Sequence, residues 1–314
     1  MRSPLPVVAV VVTYHPQVGH TGRLVTELAR QCDNVVVVDN GSSPDTVEEL
    51  HRRCNGVGAE LVELGENRGI ARAQNVGTAR ARELGAGSVL FSDQDSLPEP
   101  DMVDRLLAGL ERARAHGFRV AAVGPMARET RTADEVMVYA PRRWGPRRAR
   151  GEGRDGLLAA AFLLASGCLV PLEVLDDVGP MNDGWFIDHV DLEWGLRARR
   201  AGYRIFAVMD AGLHHELGDS VVKLPGRRQE VHVHSPARTY YLVRNTVFLT
   251  RGDLMPWRWR LGYVVWLTKF VAFNVIVAPA RLDRAAMMVR ALRDGLRGTT
   301  GPLLQAQPHV TANR

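Results

Sequence analysis

The stretch Ser88-Val-Leu-Phe-Ser-Asp-Gln-Asp-Ser-Leu-Pro-Glu-Pro100 decides how this chain is read. Val89, Leu90 and Phe91 form a short apolar, β-favouring run, closed by the turn-forming Ser96-Leu-Pro98. Two carboxylates, Asp93 and Asp95, stand at its C-terminal end, one residue apart. On an extended chain the side chains of residues i and i+2 share a face, so this pair can reach one small hard cation together. Mg²⁺ and Mn²⁺ favour such oxygen ligands and complete their shells with substrate phosphate. A solvated acidic turn has the same two residues, so the rest of the chain must decide between the two.

Upstream, Val7 to Val12 is a continuous run of valines with Ala9 inside it, the pattern of a central parallel strand covered on both faces. Asn34 to Asp39 and Ala59 to Leu64 read as further strands, and Val120 to Val123 as another downstream. Helical spacing fills the gaps: Thr21 to Gln31, a segment started by Ser43-Pro44, Ile70 to Leu84, and Asp101 to His116. Strands alternating with helices of this length predict an α/β fold with a parallel, doubly wound sheet. Ligands of such sheets bind beyond the C-terminal strand ends. Here those ends are Thr13-Tyr14, Asp39-Asn40-Gly41, Glu66-Asn67-Arg68-Gly69 and Asp93-Gln94-Asp95, all polar and all facing one crevice. A dinucleotide-binding domain fails on its residues. Gly56-Val-Gly58 precedes a strand instead of following one, and Leu61 stands where a third small residue belongs.

With 314 residues, 46% hydrophobic and 24% charged, the chain has the composition of one large globular domain or two small ones. The N-terminal apolar run is too short for a signal peptide and leads into Thr13-Tyr-His-Pro16 without a small-residue cleavage site. Cys32, Cys54 and Cys168 show no metal or redox spacing and are expected to be reduced, as in a cytoplasmic protein. A net charge of +5 with clustered arginines points to an anionic surface or substrate. No nucleic-acid partner is expected.

The pattern breaks between Arg128 and Asp155, where Arg142, Arg143, Arg147, Arg148, Arg150 and Arg154 crowd around Trp144 among prolines and glycines. This reads as a loop or hairpin, either simply solvated or a clamp for an anionic acceptor. Leu157 to Val170 reads as strand again. A second acidic group follows in Trp185-Phe-Ile-Asp-His-Val-Asp-Leu-Glu-Trp194, near the start of a helix that Gly202 ends. A helix N-terminus stabilises carboxylates by its dipole, but aromatic walls and a nearby acidic pair are also how a general base is tuned. Asp188, Asp191 and Glu193 are the candidates. His214-His215 follows a strand, Tyr203 to Met209, and His215 is a candidate to complete a metal shell begun by Asp95.

Beyond Ser235-Pro236, which caps a helix to Arg251, the apolar stretch Leu261 to Ala280 approaches bilayer-spanning length but carries Lys269 in its middle. Trp257, Trp259, Tyr263 and Trp266 prefer an interface. The expectation is a helix on the membrane surface, with a buried helix and a spanning one as alternatives. Two units result: 1–235, and a C-terminal helical, membrane-associating extension, 236–314.

In this order, Thr13-Tyr14, Val38-Asp-Asn-Gly-Ser42, Glu66-Asn-Arg-Gly69, Asp93-Gln-Asp95, Asp188-His-Val-Asp-Leu-Glu-Trp194 and Arg199-Arg-Ala-Gly202 resemble glycosyltransferase family 2. His215-Glu-Leu-Gly-Asp219, Ser235-Pro-Ala-Arg-Thr-Tyr-Tyr-Leu-Val-Arg-Asn245 and Asp294-Gly-Leu-Arg-Gly298 narrow the likeness to bacterial rhamnosyltransferases that use dTDP-L-rhamnose. The resemblance implies a GT-A (Rossmann-like) fold and inverting transfer from a nucleotide sugar to a lipid-linked saccharide or glycan, on the inner face of the cell membrane. It implies a donor pocket of Thr13, Tyr14, Asp39, Asn40, Asn67, Gly69, Asp93 and Gln94. Mg²⁺ or Mn²⁺ would be held by Asp95 with Asp93 and His215, and Asp191 would be the base. Many members have Glu-Asp at the base; here Val190 precedes Asp191, and Asp188 supplies the extra carboxylate. The same fold moving galactofuranose or N-acetylglucosamine from a UDP-sugar, and a non-catalytic nucleotide-sugar-binding protein, are the alternatives.

Overall fold

The computed structural model describes residues 5–129, 137–149, 153–215, 220–222, 231–233 and 235–303. The chain opens with β1 (Val7–Thr13), α1 (Val18–Gln31), β2 (Asn34–Asp39), α2 (Pro44–Asn55), β3 (Glu60–Glu63), α3 (Ile70–Glu83) and β4 (Ser88–Asp93). β1 is buried along its whole length and pairs in parallel with β2 on one side and β4 on the other. That register sets Thr13 beside Asp39 and Val12 beside Asp93, so the polar strand ends share one rim. Strand order reverses between β1 and β4, which opens the crevice there.

Next come β5 (Ser96–Pro98), α4 (Met102–Ala115), β6 (Val120–Glu129), β7 (Tyr139–Arg142), β8 (Gly145–Arg148), β9 (Leu157–Ala160), β10 (Cys168–Pro171) and α5 (Leu172–Val178). After a 3₁₀ turn at Asp183–Trp185 follow α6 (Val190–Arg200), β11 (Arg204–His215), β12 (Ser220–Val222), β13 (Val231–Val233), α7 (Pro236–Arg251), α8 (Trp257–Ile276) and α9 (Arg281–Arg297). Among the described residues the main sheet runs β3-β2-β1-β4-β10-β6-β11-β5, with β9 also on β11.

The sheet is therefore mixed, where a fully parallel one was expected. β10 runs antiparallel to β4 and β6. The chain between β6 and β10 goes into the β7–β8 hairpin and β9 instead of a crossover helix, so it re-enters the sheet reversed. The expected single strand from Leu157 to Val170 is likewise two, because β9 pairs with β11 whereas β10 pairs with β4 and β6. Gly167 makes the turn between them at φ +78° and donates its N–H to the Phe91 carbonyl. The three cysteines are buried and unbridged.

The arginine-rich segment does form a hairpin, β7–β8, with Trp144 at its tip. Residues 130–136 and 150–152 lie outside the description, Arg150 among them. α8 sits directly on this hairpin. A Cβ on Gly262 would collide with the Trp144 carbonyl, and the Trp259 indole donates to the Arg142 carbonyl at 2.8 Å. Two of the four aromatics expected at an interface thus face inward: Trp259 is buried, and Tyr263 is half-buried against His189. No helix among the described residues is long and apolar enough to cross a membrane.

α7 and α9 pack together, with the Tyr240 hydroxyl donating to Asp294 at 2.8 Å. Arg284 is buried beneath them and bonds the Pro279 carbonyl, Thr239 and Asn274.

Candidate active site

Hydrogen bonds, more than proximity, assemble the four strand-end loops. The Asp39 carboxylate accepts from the Thr13 hydroxyl at 3.0 Å, from the N–H groups of Gly41 and Ser42, and from the Ser42 hydroxyl. An Asp side chain bonding the backbone two and three residues on fixes a tight turn. The next residue, Asn40, bridges loops: its amide donates to Asn67 at 3.1 Å and its carbonyl oxygen accepts the Arg68 N–H. Asn67 in turn accepts from the Gly69 N–H at 3.0 Å. Gln94 grips both backbone groups of Tyr14, accepting its N–H and donating to its carbonyl. The ring of Tyr14 stays exposed beside His15. Thr13, Tyr14, Asp39, Asn40, Asn67, Gly69, Asp93 and Gln94 thus line one continuous rim.

β4 ends at Asp93, and Gln94 and Asp95 form the turn into β5. The alternation argument for a shared face therefore does not apply to Asp93 and Asp95, because the chain between them is not extended. Asp93 accepts from the Ser166 hydroxyl at 2.8 Å. Asp95 is half-buried. β11 pairs His215 with Ser96, which brings its backbone beside this turn; the His215 side chain lies outside the described residues. Among the described residues no three His, Cys, Asp or Glu side chains converge on one point. One or two carboxylates remain the donor set of a hard divalent ion that takes its other ligands from substrate phosphate and water, and Asp93 and Asp95 fit that chemistry.

The second acidic group faces the same rim. α6 begins at Val190 and carries Asp191 in its first turn, at the helix start where the sequence pattern puts the acidic group. Burial pushes the Asp191 carboxyl up to about 8, and the charges of Asp93 and Asp188 add to that; the Ala165 N–H, which bonds it, acts in the opposite direction. Beside it lies a cavity of about 10 Å³, room for about one water. Its walls include Phe91, Leu163, Cys168, Met181 and Trp194. This mostly apolar surround is the source of the desolvation.

Asp188 is nearly buried and pairs with Arg238 of α7 at 3.2 Å. Glu193 faces a different task. Arg197 holds both its oxygens, at 2.8 and 2.9 Å, and also bonds the carbonyls of Val178 and Pro180. The candidate base Glu193 is thereby committed to tying α6 to the end of α5.

Sequence reasoning missed several neighbours. Ser166 and Ala165 come from the turn before β10, which only the reversed strand brings to Asp93 and Asp191. His189 is half-buried, with its titration pushed down to about 4 by loss of solvent, and its Nε2 lies 2.9 Å from the Thr246 hydroxyl. The string that ends in Arg244-Asn245 was visible, but nothing in its spacing said what those side chains touch.

Two carboxylates at a strand-end turn, a raised carboxyl near one of them, and a polar rim alongside suit nucleotide-sugar chemistry. Residues 9–175 match the sequence profile described as Glycosyl transferase family 2. The chain belongs to that family. This glycosyltransferase is 31% identical over 298 residues to the dTDP-rhamnosyl transferase RfbF of Shigella flexneri, across 93% of this chain and 96% of that protein. It is 26% identical over 266 residues to an N-acetylglucosaminyl-diphospho-decaprenol L-rhamnosyltransferase of Mycobacterium tuberculosis, across 74% of this chain and 82% of that one. Among solved structures it resembles the mannosyltransferase PcManGT of Pyrobaculum calidifontis, in complex with GDP-Man and Mn²⁺. The TM-score is 0.54 at 17% identity, over 93% of this chain and 75% of that one. That likeness establishes the glycosyltransferase's GT-A-type fold.

Proposed function

We propose that this glycosyltransferase moves L-rhamnose from dTDP-L-rhamnose, with inversion, to a lipid-linked saccharide or glycan at the inner face of the cell membrane. The observation that carries the mechanism is the raised carboxyl of Asp191 close to Asp93, the two bonded by the adjacent residues Ala165 and Ser166. The donor sugar rests on the full-length similarity to dTDP-rhamnosyl transferase RfbF. The lipid-linked acceptor rests on the similarity to the mycobacterial protein.

Asp191 takes the proton of the acceptor hydroxyl as that oxygen attacks the anomeric carbon. The bond to the diphosphate breaks on the opposite side, and the nucleoside diphosphate departs. A hydroxyl is a poor nucleophile at neutral pH, so a base with a raised pKa is matched to the step. Asp188, restrained by Arg238, keeps negative charge near Asp191, and Glu193 is left out of the transfer. Thr13, Tyr14, Asp39, Asn40, Asn67, Gly69 and Gln94 bind the nucleoside side of the donor.

Asp95 and Asp93, with His215, would hold Mg²⁺ or Mn²⁺, which when bound neutralises charge on the leaving diphosphate. The unit 236–314 carries the membrane contact. Its exposed apolar residues include Trp257, Leu261, Val264 and Val265 on α8 and Leu282, Val289 and Leu296 on α9. Exposed Arg258, Lys269, Arg281, Arg293 and Arg297 lie on the same two helices. Apolar side chains together with cations suit an anionic lipid surface.

The test is release of dTDP from dTDP-L-rhamnose with a lipid extract as acceptor, comparing wild type with Asp191→Asn. UDP-N-acetylglucosamine and UDP-galactofuranose run in parallel. Turnover restricted to the UDP-sugars would sink the rhamnose assignment, and an active Asp191→Asn would sink the base.

A further inference from the structure

The run Arg244-Asn245-Thr246 in α7 has no part in the chemistry above, yet all three side chains are fully buried and reach the segment just before α6. The Asn245 amide shares its two N–H groups among the carbonyls of Trp185, Ile187 and Asp188, at 3.0, 2.8 and 2.9 Å. The Arg244 guanidinium donates to the carbonyls of Gly184, Trp185 and Gly301 and, through Nε, to Asn245 Oδ1. That last bond fixes which way the amide faces. The Thr246 hydroxyl donates to the Leu242 carbonyl, so it accepts from His189 Nε2, which assigns the proton to that nitrogen.

The backbone these groups hold is strained. Phe186, Asp188 and His189 have φ of 65°, 62° and 61° without being glycine. Such a conformation is costly for any residue but glycine and persists only where its surroundings over-determine it. The segment touches both halves of the reaction. Phe186 accepts the Ile70 N–H at the donor loop, and two residues after His189 the chain reaches Asp191.

We propose that Arg244, Asn245 and Thr246 are positioning residues: they hold segment 185–189 in its strained form so that Asp191 faces the acceptor. The inference rests on Asp191 as the base. It also makes α7 a working part of the active site and not merely the start of a membrane anchor. Misplacing a reacting group by about 1 Å costs about 100-fold in rate, which sets the expected scale.

The experiment compares steady-state kinetics of Asn245→Asp and Thr246→Val with Val247→Ala and Asp191→Asn, per folded protein, in the dTDP-release assay. Asn245→Asp keeps the shape but removes the donors. Thr246→Val removes the acceptor for His189 together with the hydroxyl's bond to the Leu242 carbonyl, which lies within α7. Val247 faces Gly295 of α9 and serves as a control for general destabilisation. The expected result is a fall in kcat of about 100-fold for Asn245→Asp and about 5-fold for Thr246→Val, with donor KM within about threefold of wild type. Val247→Ala should lower the melting temperature and keep kcat. A folded Thr246→Val and Asn245→Asp with wild-type kcat, or with losses equal to Val247→Ala at matched stability, would overturn the proposal. Should Asn245→Asp fail to fold, the nearly isosteric Thr246→Val decides by the same criterion. An active Asp191→Asn removes the base and the proposal with it; an inactive one beside unchanged Asn245→Asp and Thr246→Val overturns the positioning role alone.

Discussion

The backbone N–H of Ile70 donates to the carbonyl of Phe186 at 2.8 Å, locking the Glu66–Gly69 loop to the segment that leads into Asp191. Gly69 makes this approach feasible. It sits at φ +86°, and a Cβ there would lie 2.6 Å from the Phe186 carbonyl oxygen. Gly69→Ala should therefore push the two segments apart. The expected outcome is a loss in kcat/KM of about 10- to 100-fold, shared between kcat and donor KM because both sides move. Steady-state kinetics with varied donor checks it; a variant with wild-type constants would show the contact to be incidental.

The pH dependence follows from Asp191. As the proposed base it works ionised, and its pKa is raised to about 8, so kcat/KM without divalent ion should climb as pH rises through about 8. A cation beside Asp93 offsets one of the charges that raise it, so added Mg²⁺ or Mn²⁺ should move this limb to lower pH. A limb that stays in place with and without metal would separate the two sites electrostatically.

The same shift has a stability consequence. Asp191 holds its proton in the folded protein over a range where the unfolded chain has released it, so its contribution is fully present below about pH 4 and is lost as pH rises through about 8. Asp191→Asn escapes that loss. Its melting temperature should exceed wild type, by more at pH 8 than at pH 5, at about 2–4 °C per kcal/mol for a chain of this size. Scanning calorimetry at the two pH values reads this directly.

Glu193→Gln should do the opposite of a base mutation. It leaves Arg197 half-satisfied at the α5–α6 junction. Removing one partner of a largely buried, two-bond pair costs on the order of 2 kcal/mol. The melting temperature should fall while kcat stays within about twofold of wild type. A large kcat loss in a stable Glu193→Gln protein would return Glu193 to the chemistry.

Much of the donor side could be read from the sequence because it depends on local rules. Buried valine runs ending in polar turns mark parallel strands and their rim, and Thr13, Asp39, Asn67 and Asp93 fall where that reading puts them. The acceptor side was less legible because its geometry is non-local. Ser166 reaches Asp93 only through a strand that enters reversed, and Asn245 reaches Ile187 across 58 positions of sequence. Asp93 and Asp95 were misjudged as a same-face pair because alternation holds only while the chain stays extended. Glu193 reads from the sequence as a candidate beside Asp191, and nothing there shows that Arg197, one helical turn on, holds both its oxygens.

The hydrogen bonds from Asn245 to Trp185, Ile187 and Asp188 also bear on biosynthesis. A ribosome completes every donor-side loop, and Asp191 itself, well before it makes residue 245. Until then the three carbonyls lack the side chain that gathers them in the finished protein. A nascent chain can thus have its polar rim in place before the segment leading to Asp191 is fixed, which makes full assembly of this site a late event in the life of the polypeptide.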